Sequence, residues 1–89
     1  MDYEKVIRAI IEPLVANKDS IMIRKTLSEN GKDVTILIVA EKEDTSRLIG
    51  RRGIVANAIR EVASVSGKSE NKRIHIHFES FDEKDEEEK

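Results

Sequence analysis

Cysteine is absent from the 89-residue chain. That excludes disulfides, zinc fingers, iron–sulfur clusters and thiol nucleophiles. Tryptophan is absent too, and the aromatic residues are Tyr3, Phe78 and Phe81. A surface that stacks bases on exposed rings, as RRM and OB platforms do, is not expected from so few. Proline occurs once, at Pro13. The longest apolar run covers residues 36–40, far short of the roughly 20 residues that span a bilayer. The start, Met1-Asp2-Tyr3-Glu4, is acidic and has no glycine after Met1. Neither a signal peptide nor a common lipid anchor is expected, and the cytoplasm is the expected location. No nucleophile-elbow, phosphate-loop or metalloprotease spacing occurs. The chain is therefore read as a non-enzyme without catalytic residues or a cofactor.

What is present is charge, at 38% of residues, balanced by 38% hydrophobic residues. This composition fits one small, highly charged globular domain. The net charge of −2 conceals an asymmetry. Seven acids and two lysines lie from Glu79 onward, which leaves residues 1–78 with 14 bases and 11 acids. Arg47, Arg51, Arg52 and Arg60 fall in one stretch without an acid. The chain thus divides into a basic body, residues 1–79, and an acidic tail, residues 80–89, too polar to fold alone.

Hydrophobic spacing gives the order of elements. Tyr3, Val6, Ile7, Ile10, Ile11, Leu14 and Val15 form one helical face over residues 3–16, with Asp2 as N-cap and a kink or break at Pro13. Residues 17–19 read as a loop. Residues 20–28 alternate as a half-buried strand, with Ile21, Ile23 and Leu27 on the inner side. Asn30-Gly31 marks a hairpin, and residues 33–40, apolar on both faces, form a central strand. Asp44, Thr45 or Ser46 is expected to cap a short helix that Gly50 ends. A second helix runs from Ile54 to about Ser66, closed by Gly67 at the C′ position. The last strand, residues 72–79, puts Ile74, Ile76 and Phe78 on one face and Arg73, His75 and His77 on the other. The fold class is α+β, order α-β-β-α-α-β. A right-handed crossover makes the last two strands of a three-stranded mixed sheet parallel, with the helices on one face.

The feature all this surrounds is Leu48-Ile49-Gly50-Arg51-Arg52-Gly53-Ile54. Two glycines permit a tight turn and close approach of a ligand to the main chain. The turn feeds a helix N-terminus, and two guanidiniums beside it suit a phosphodiester backbone.

This stretch, inside a strand–helix–helix–strand unit, resembles the G-x-x-G loop of a KH domain. The extra helix and strand before the unit match the type II KH fold. Ile11-Glu12-Pro13-Leu14-Val15, Asp19 and Ala56-Asn57-Ala58-Ile59-Arg60 are similar to the small bacterial single-KH proteins of the KhpA family. The resemblance covers roughly residues 3–79. It implies binding of single-stranded RNA, pairing with itself or with a larger KH protein, KhpB, and an RNA-chaperone role in cell-wall homeostasis and cell shape. One position departs: relatives commonly carry a basic residue after the second glycine, where this chain has Ile54.

In the KH mode, Gly50 and Gly53 shape the turn and Arg51 and Arg52 contact phosphate. Leu48, Ile49 and Ile54 are candidates for the groove wall or the core beneath it. Arg47 and Arg60 are second-rank candidates for the electrostatic rim. On the second helix the apolar arc covers roughly 180°, against about 100° for a core-facing stripe. Val55, Ala58, Val62 and Val65 are left over, either as a dimer interface or as a surface under the N-terminal helix. His75 and His77 could share a metal, but no third ligand accompanies them and no metal is expected. The rival reading is a protein-interaction scaffold with vestigial nucleic-acid binding. Single-stranded DNA is a further alternative ligand.

Overall fold

A computed structural model describes residues 2–81. The expectation for the acidic tail, from residue 82 on, falls outside the described residues. Helix α1 spans Tyr3–Ile11. The Asp2 carboxylate caps it by accepting the Lys5 N–H at 3.2 Å. Tyr3, Ile7 and Ile11, spaced by four, are the buried face. The helix ends before Pro13, which lacks an N–H, and the chain continues as a 3-10 turn, Glu12–Leu14. The expected loop at 17–19 is largely a second 3-10 turn, Lys18–Ser20.

Strand β1, Met22–Leu27, pairs antiparallel with β2, Asp33–Ala40. The link between them is wider than a two-residue Asn-Gly turn. Ser28 N–H donates to the Asp33 carbonyl at 2.9 Å, and Asp33 N–H returns to Ser28 Oγ at 3.1 Å. Of the Asn-Gly pair only Gly31 takes positive φ, at 72°, so the turn is not the type that Asn-Gly usually makes. Leu27, expected inside, is 53% exposed, because it lies at the end of an edge strand beyond the helical cover.

β2 is central and pairs parallel with β3, Arg73–Ser80. Val34, Ile36, Ile38 and Ala40 alternate inward and are buried, while Thr35, Leu37 and Val39 lie half-covered on the opposite face. The core joins these residues to Ile7 and Ile11 of α1, Leu48, Ile59, Ala63 and Ile76. Each fully buried isoleucine contributes roughly 1.5–3 kcal/mol. All three helices pack on this side of the sheet, which is the α+β arrangement the spacing predicts.

Helix α2, Lys42–Ile49, starts two residues earlier than Asp44 and has no side-chain cap. The three proposed caps lie inside the helix. Asp44 is instead buried, and its carboxylate accepts the N–H groups of Ala16 at 2.8 Å and Asn17 at 3.0 Å. It thereby anchors the segment after α1 to α2. The Thr45 hydroxyl lies 3.2 Å from the Ala40 carbonyl and 3.1 Å from the Glu79 carbonyl, tying α2 to the ends of β2 and β3. A capping residue type was present, but its partners came from distant segments.

Helix α3 spans Ile54–Ser69, so Gly67 is not its C′ residue. Gly67 is buried within the last turn, where a β-carbon would stand 2.6 Å from Ile74 Cγ1 and 2.7 Å from the Lys72 carbonyl. Close approach of helix to strand requires this glycine. Asn71 takes the left-handed position instead, at φ 59°. Lys72 N–H donates to the Gly67 carbonyl and Asn71 N–H to that of Lys68, a Schellman closure. Burial pushes the Tyr3 hydroxyl up to about 12, aided by Glu70, whose carboxylate accepts its hydrogen bond and links the start of α1 to the end of α3.

Candidate nucleic-acid interface

Between α2 and α3 the chain turns within four residues. Gly50, at φ 73° and ψ 177°, ends α2 by donating its N–H to the Ser46 carbonyl at 2.9 Å. A 3-10 turn, Arg51–Gly53, follows and is closed by Gly53 N–H on the Gly50 carbonyl at 3.2 Å. Arg52 and Gly53 are both left-handed, at φ 58° and 77°. For a residue with a β-carbon that conformation costs about 1–2 kcal/mol. The turn therefore carries strain at one arginine. Both Arg51 and Arg52 are exposed, and among the described residues neither is held in an ion pair.

Beside the turn lies a groove of about 460 Å³ between α3 and β3. Ile49, Gly53, Ala56 and Arg60 form one wall, and His77, Phe78 and Glu79 the other. Its lining is mixed: Ile49, Ala56 and Phe78 are apolar, and Arg60, His77 and Glu79 are polar. The Arg60 guanidinium donates from Nε and Nη2 to the Ile76 carbonyl at 3.2 and 3.1 Å, and lies 5.5 Å over the Phe78 ring. The side chain is thus fixed along the groove rather than waving in solvent.

The other candidates separate. Leu48 is fully buried and belongs to the core, not the groove wall. Arg47 pairs with Asp44 at the base of the turn. The Ala16 N–H first, then Asn17 and Arg47, holds the Asp44 carboxyl below its ordinary value against the opposing effect of burial. Ile54 projects into solvent, 69% exposed. Of the left-over apolar positions on α3, Ala58, Val62 and Val65 are exposed. Val55 is the correction: it is half-buried and packs against the core beneath the turn. At the first turn of the helix it lies inward because Gly50 leaves room for it.

Phe78, His77, Glu79 and Ala56 were not among the sequence candidates for this groove. The signal was available in the topology: a parallel β3 ends beside the strand end from which α2 departs, so its last residues must flank the α2–α3 turn. His75 and His77 meet different neighbours. His75 Nε2 lies 3.0 Å from Asp33 Oδ1, whereas His77 lines the groove. Asp33 is held below its ordinary value by that contact and by Arg73, which binds it with both Nε and Nη2. No helix among the described residues is long and apolar enough to cross a membrane.

A G-x-x-G turn joining two helices, between parallel strands and beside a groove, defines a KH domain; the preceding helix and strand make it type II. The family model described as the KH domain of KhpA/KhpB matches residues 4–78, and the chain belongs to that family. The RNA-binding protein KhpA of Listeria monocytogenes is 33% identical over 73 residues, covering 82% of this chain and 93% of the relative. The protein of the same name from Bacillus subtilis is 32% identical over 79 residues, covering 89% and 93%. That of Oceanobacillus iheyensis is 34% identical over 71 residues, covering 80% and 92%. These relatives carry the name of an RNA-binding protein, not of an enzyme.

Proposed function

We propose that the chain binds single-stranded RNA, with the backbone clamped at Gly50-Arg51-Arg52-Gly53 and bases directed into the groove of Ile49, Ala56 and Phe78. The observation that carries this is a turn with two exposed guanidiniums, unpaired among the described residues, whose Gly53 borders a groove lined by Ile49, Ala56, Phe78, Arg60, His77 and Glu79. The shared name of the relatives supports RNA as the ligand class. Gly50 and Gly53 set the approach distance, Arg51 and Arg52 neutralise phosphate, and Arg60 supplies positive charge along the wall. Ile54 takes the place of a base, so one phosphate contact is lost. With few cations and little stacking, a single copy binds weakly, with a log–log salt slope of roughly −0.7 per phosphate.

Useful affinity then requires a second domain. In this reading Ala58, Val62 and Val65 form the docking strip for another copy or for KhpB. The protein acts in the cytoplasm as an RNA chaperone or post-transcriptional regulator in cell-wall homeostasis and cell shape. It is not an enzyme.

Comparison of the native chain with an Arg51→Asp, Arg52→Asp double variant on RNA and on single-stranded DNA tests this. The expected result is loss of RNA binding with an unchanged melting curve. Equal RNA binding by both proteins would favour a protein-interaction scaffold, and equal affinity for DNA would remove RNA as the preferred ligand.

A further inference from the structure

Arg60, Ser64 and Lys68 follow one another at helical spacing along α3. The groove at the turn ends on Arg60. A shallow surface lined by Asn57, Glu61, Ser64 and Val65 continues from Arg60 to Lys68 and borders the apolar strip of α3 at Val65. From Lys68 a depression of about 410 Å³ opens at the far end, lined also by Lys32, Asn71, Lys72 and Arg73. Arg60 borders both the first and second depressions and Lys68 both the second and third, so the three follow one another along α3. Lys68 stands about 21 Å along the helix from Ile54.

The far end is assembled from two turns. The β1–β2 loop supplies Lys32, and the Schellman closure of α3 supplies Lys68, Asn71 and Lys72. Arg73 N–H donates to the Lys32 carbonyl at 2.7 Å and Lys72 Nζ to the Gly31 carbonyl at 3.0 Å, which stitches the turns together. Four cations there meet two carboxylates. Asp33 is engaged with Arg73, and Glu70 accepts from Tyr3 and lies near Lys72. Lys32 and Lys68 are exposed. The depression is positively charged and has no aromatic lining, which suits a phosphate rather than a base.

We infer that this cluster is a second phosphate-binding site for the same RNA strand, which leaves the clamp, follows α3 past Arg60 and Ser64, and is held again at Lys32 and Lys68. The inference rests on the RNA-binding reading above. It extends the footprint beyond the roughly four nucleotides a G-x-x-G turn clamps.

The test uses labelled single strands of about four and about twelve nucleotides, within the range of single-strand site sizes. The native chain binds the longer strand more tightly. In a Lys32→Glu, Lys68→Glu variant with native melting behaviour, affinity for the longer strand falls about tenfold, that for the short strand is unchanged, and the salt slope on the longer strand flattens by roughly 1.4, for two phosphates. Equal loss on both strands, or no loss on either, overturns the second site. The Arg51→Asp, Arg52→Asp variant separates the two readings on the short strand. If it loses the short strand while the lysine variant keeps the full length gain, the second site alone falls. If it keeps the short strand, the clamp falls and this inference with it.

Discussion

Val55 occupies the space a side chain on Gly50 would need: a β-carbon there would stand 2.5 Å from Val55 Cγ2 and 3.0 Å from the Val55 backbone nitrogen. Gly50 also has a φ and ψ that essentially only glycine adopts, at a cost of about 1–3 kcal/mol otherwise. Overpacking adds about 1–3 kcal/mol more. Gly50→Ala should therefore destabilise the domain by about 3 kcal/mol or more in urea denaturation. At Gly53 a β-carbon would meet nothing within 4 Å, and only the left-handed φ opposes it. Gly53→Ala should cost about 1 kcal/mol. Equal losses at the two glycines would contradict this division.

Arg52 presents the opposite case, since its backbone is left-handed without being glycine. Replacing it by glycine relieves the strain, partly offset by the added freedom of the unfolded chain. Arg52→Gly should raise stability by up to about 1 kcal/mol while weakening RNA binding. A variant that loses both stability and affinity would mean the arginine side chain itself holds the turn.

The Asp44 carboxyl titrates below its ordinary value because it accepts the Ala16 and Asn17 N–H groups and pairs with Arg47. A depressed folded-state pKa contributes stability that is fully present above the unfolded value and disappears as pH falls through the folded one. Asp44→Asn should melt below the native chain at neutral pH, and the gap should shrink once pH drops under about 4. Parallel melting curves across that acid range would show that the charge at Asp44 is immaterial.

Val62 is 50% exposed and Val65 69%, flanking one another on α3 beside Ala58. An isolated valine in solvent needs no explanation, but three small apolar residues in one strip suit a partner. Val62→Asp should convert a dimer to a monomer by light scattering, without lowering the melting temperature of the dilute protein. A native chain that is already monomeric at high concentration removes the strip as a self-association surface.

Much of the architecture was legible because hydrophobic spacing reports burial directly. The bounds of β2, the break at Pro13 and the Asp2 cap all follow from local chemistry. The misreadings share another origin. Gly67 looks like a helix terminator until Ile74 and the Lys72 carbonyl are brought against it, and Asp44 looks like a cap until Ala16 and Asn17 arrive from the other end of the chain. Local propensity does not encode such distant partners. The arginines of the turn were visible as a motif, whereas the Phe78 wall depends on where a parallel strand ends. Arg47 carries the same charge as Arg51, and only the buried carboxylate at Asp44 distinguishes their roles.

The guanidinium of Arg60 rests on the Ile76 carbonyl, along the outer edge of β3. An unpaired strand edge is an invitation for another chain to add a strand there. By occupying that acceptor from the side, Arg60 takes one of the hydrogen-bond positions an added strand would need. A strand arriving at this edge would have to displace the residue that also lines the groove beside the turn.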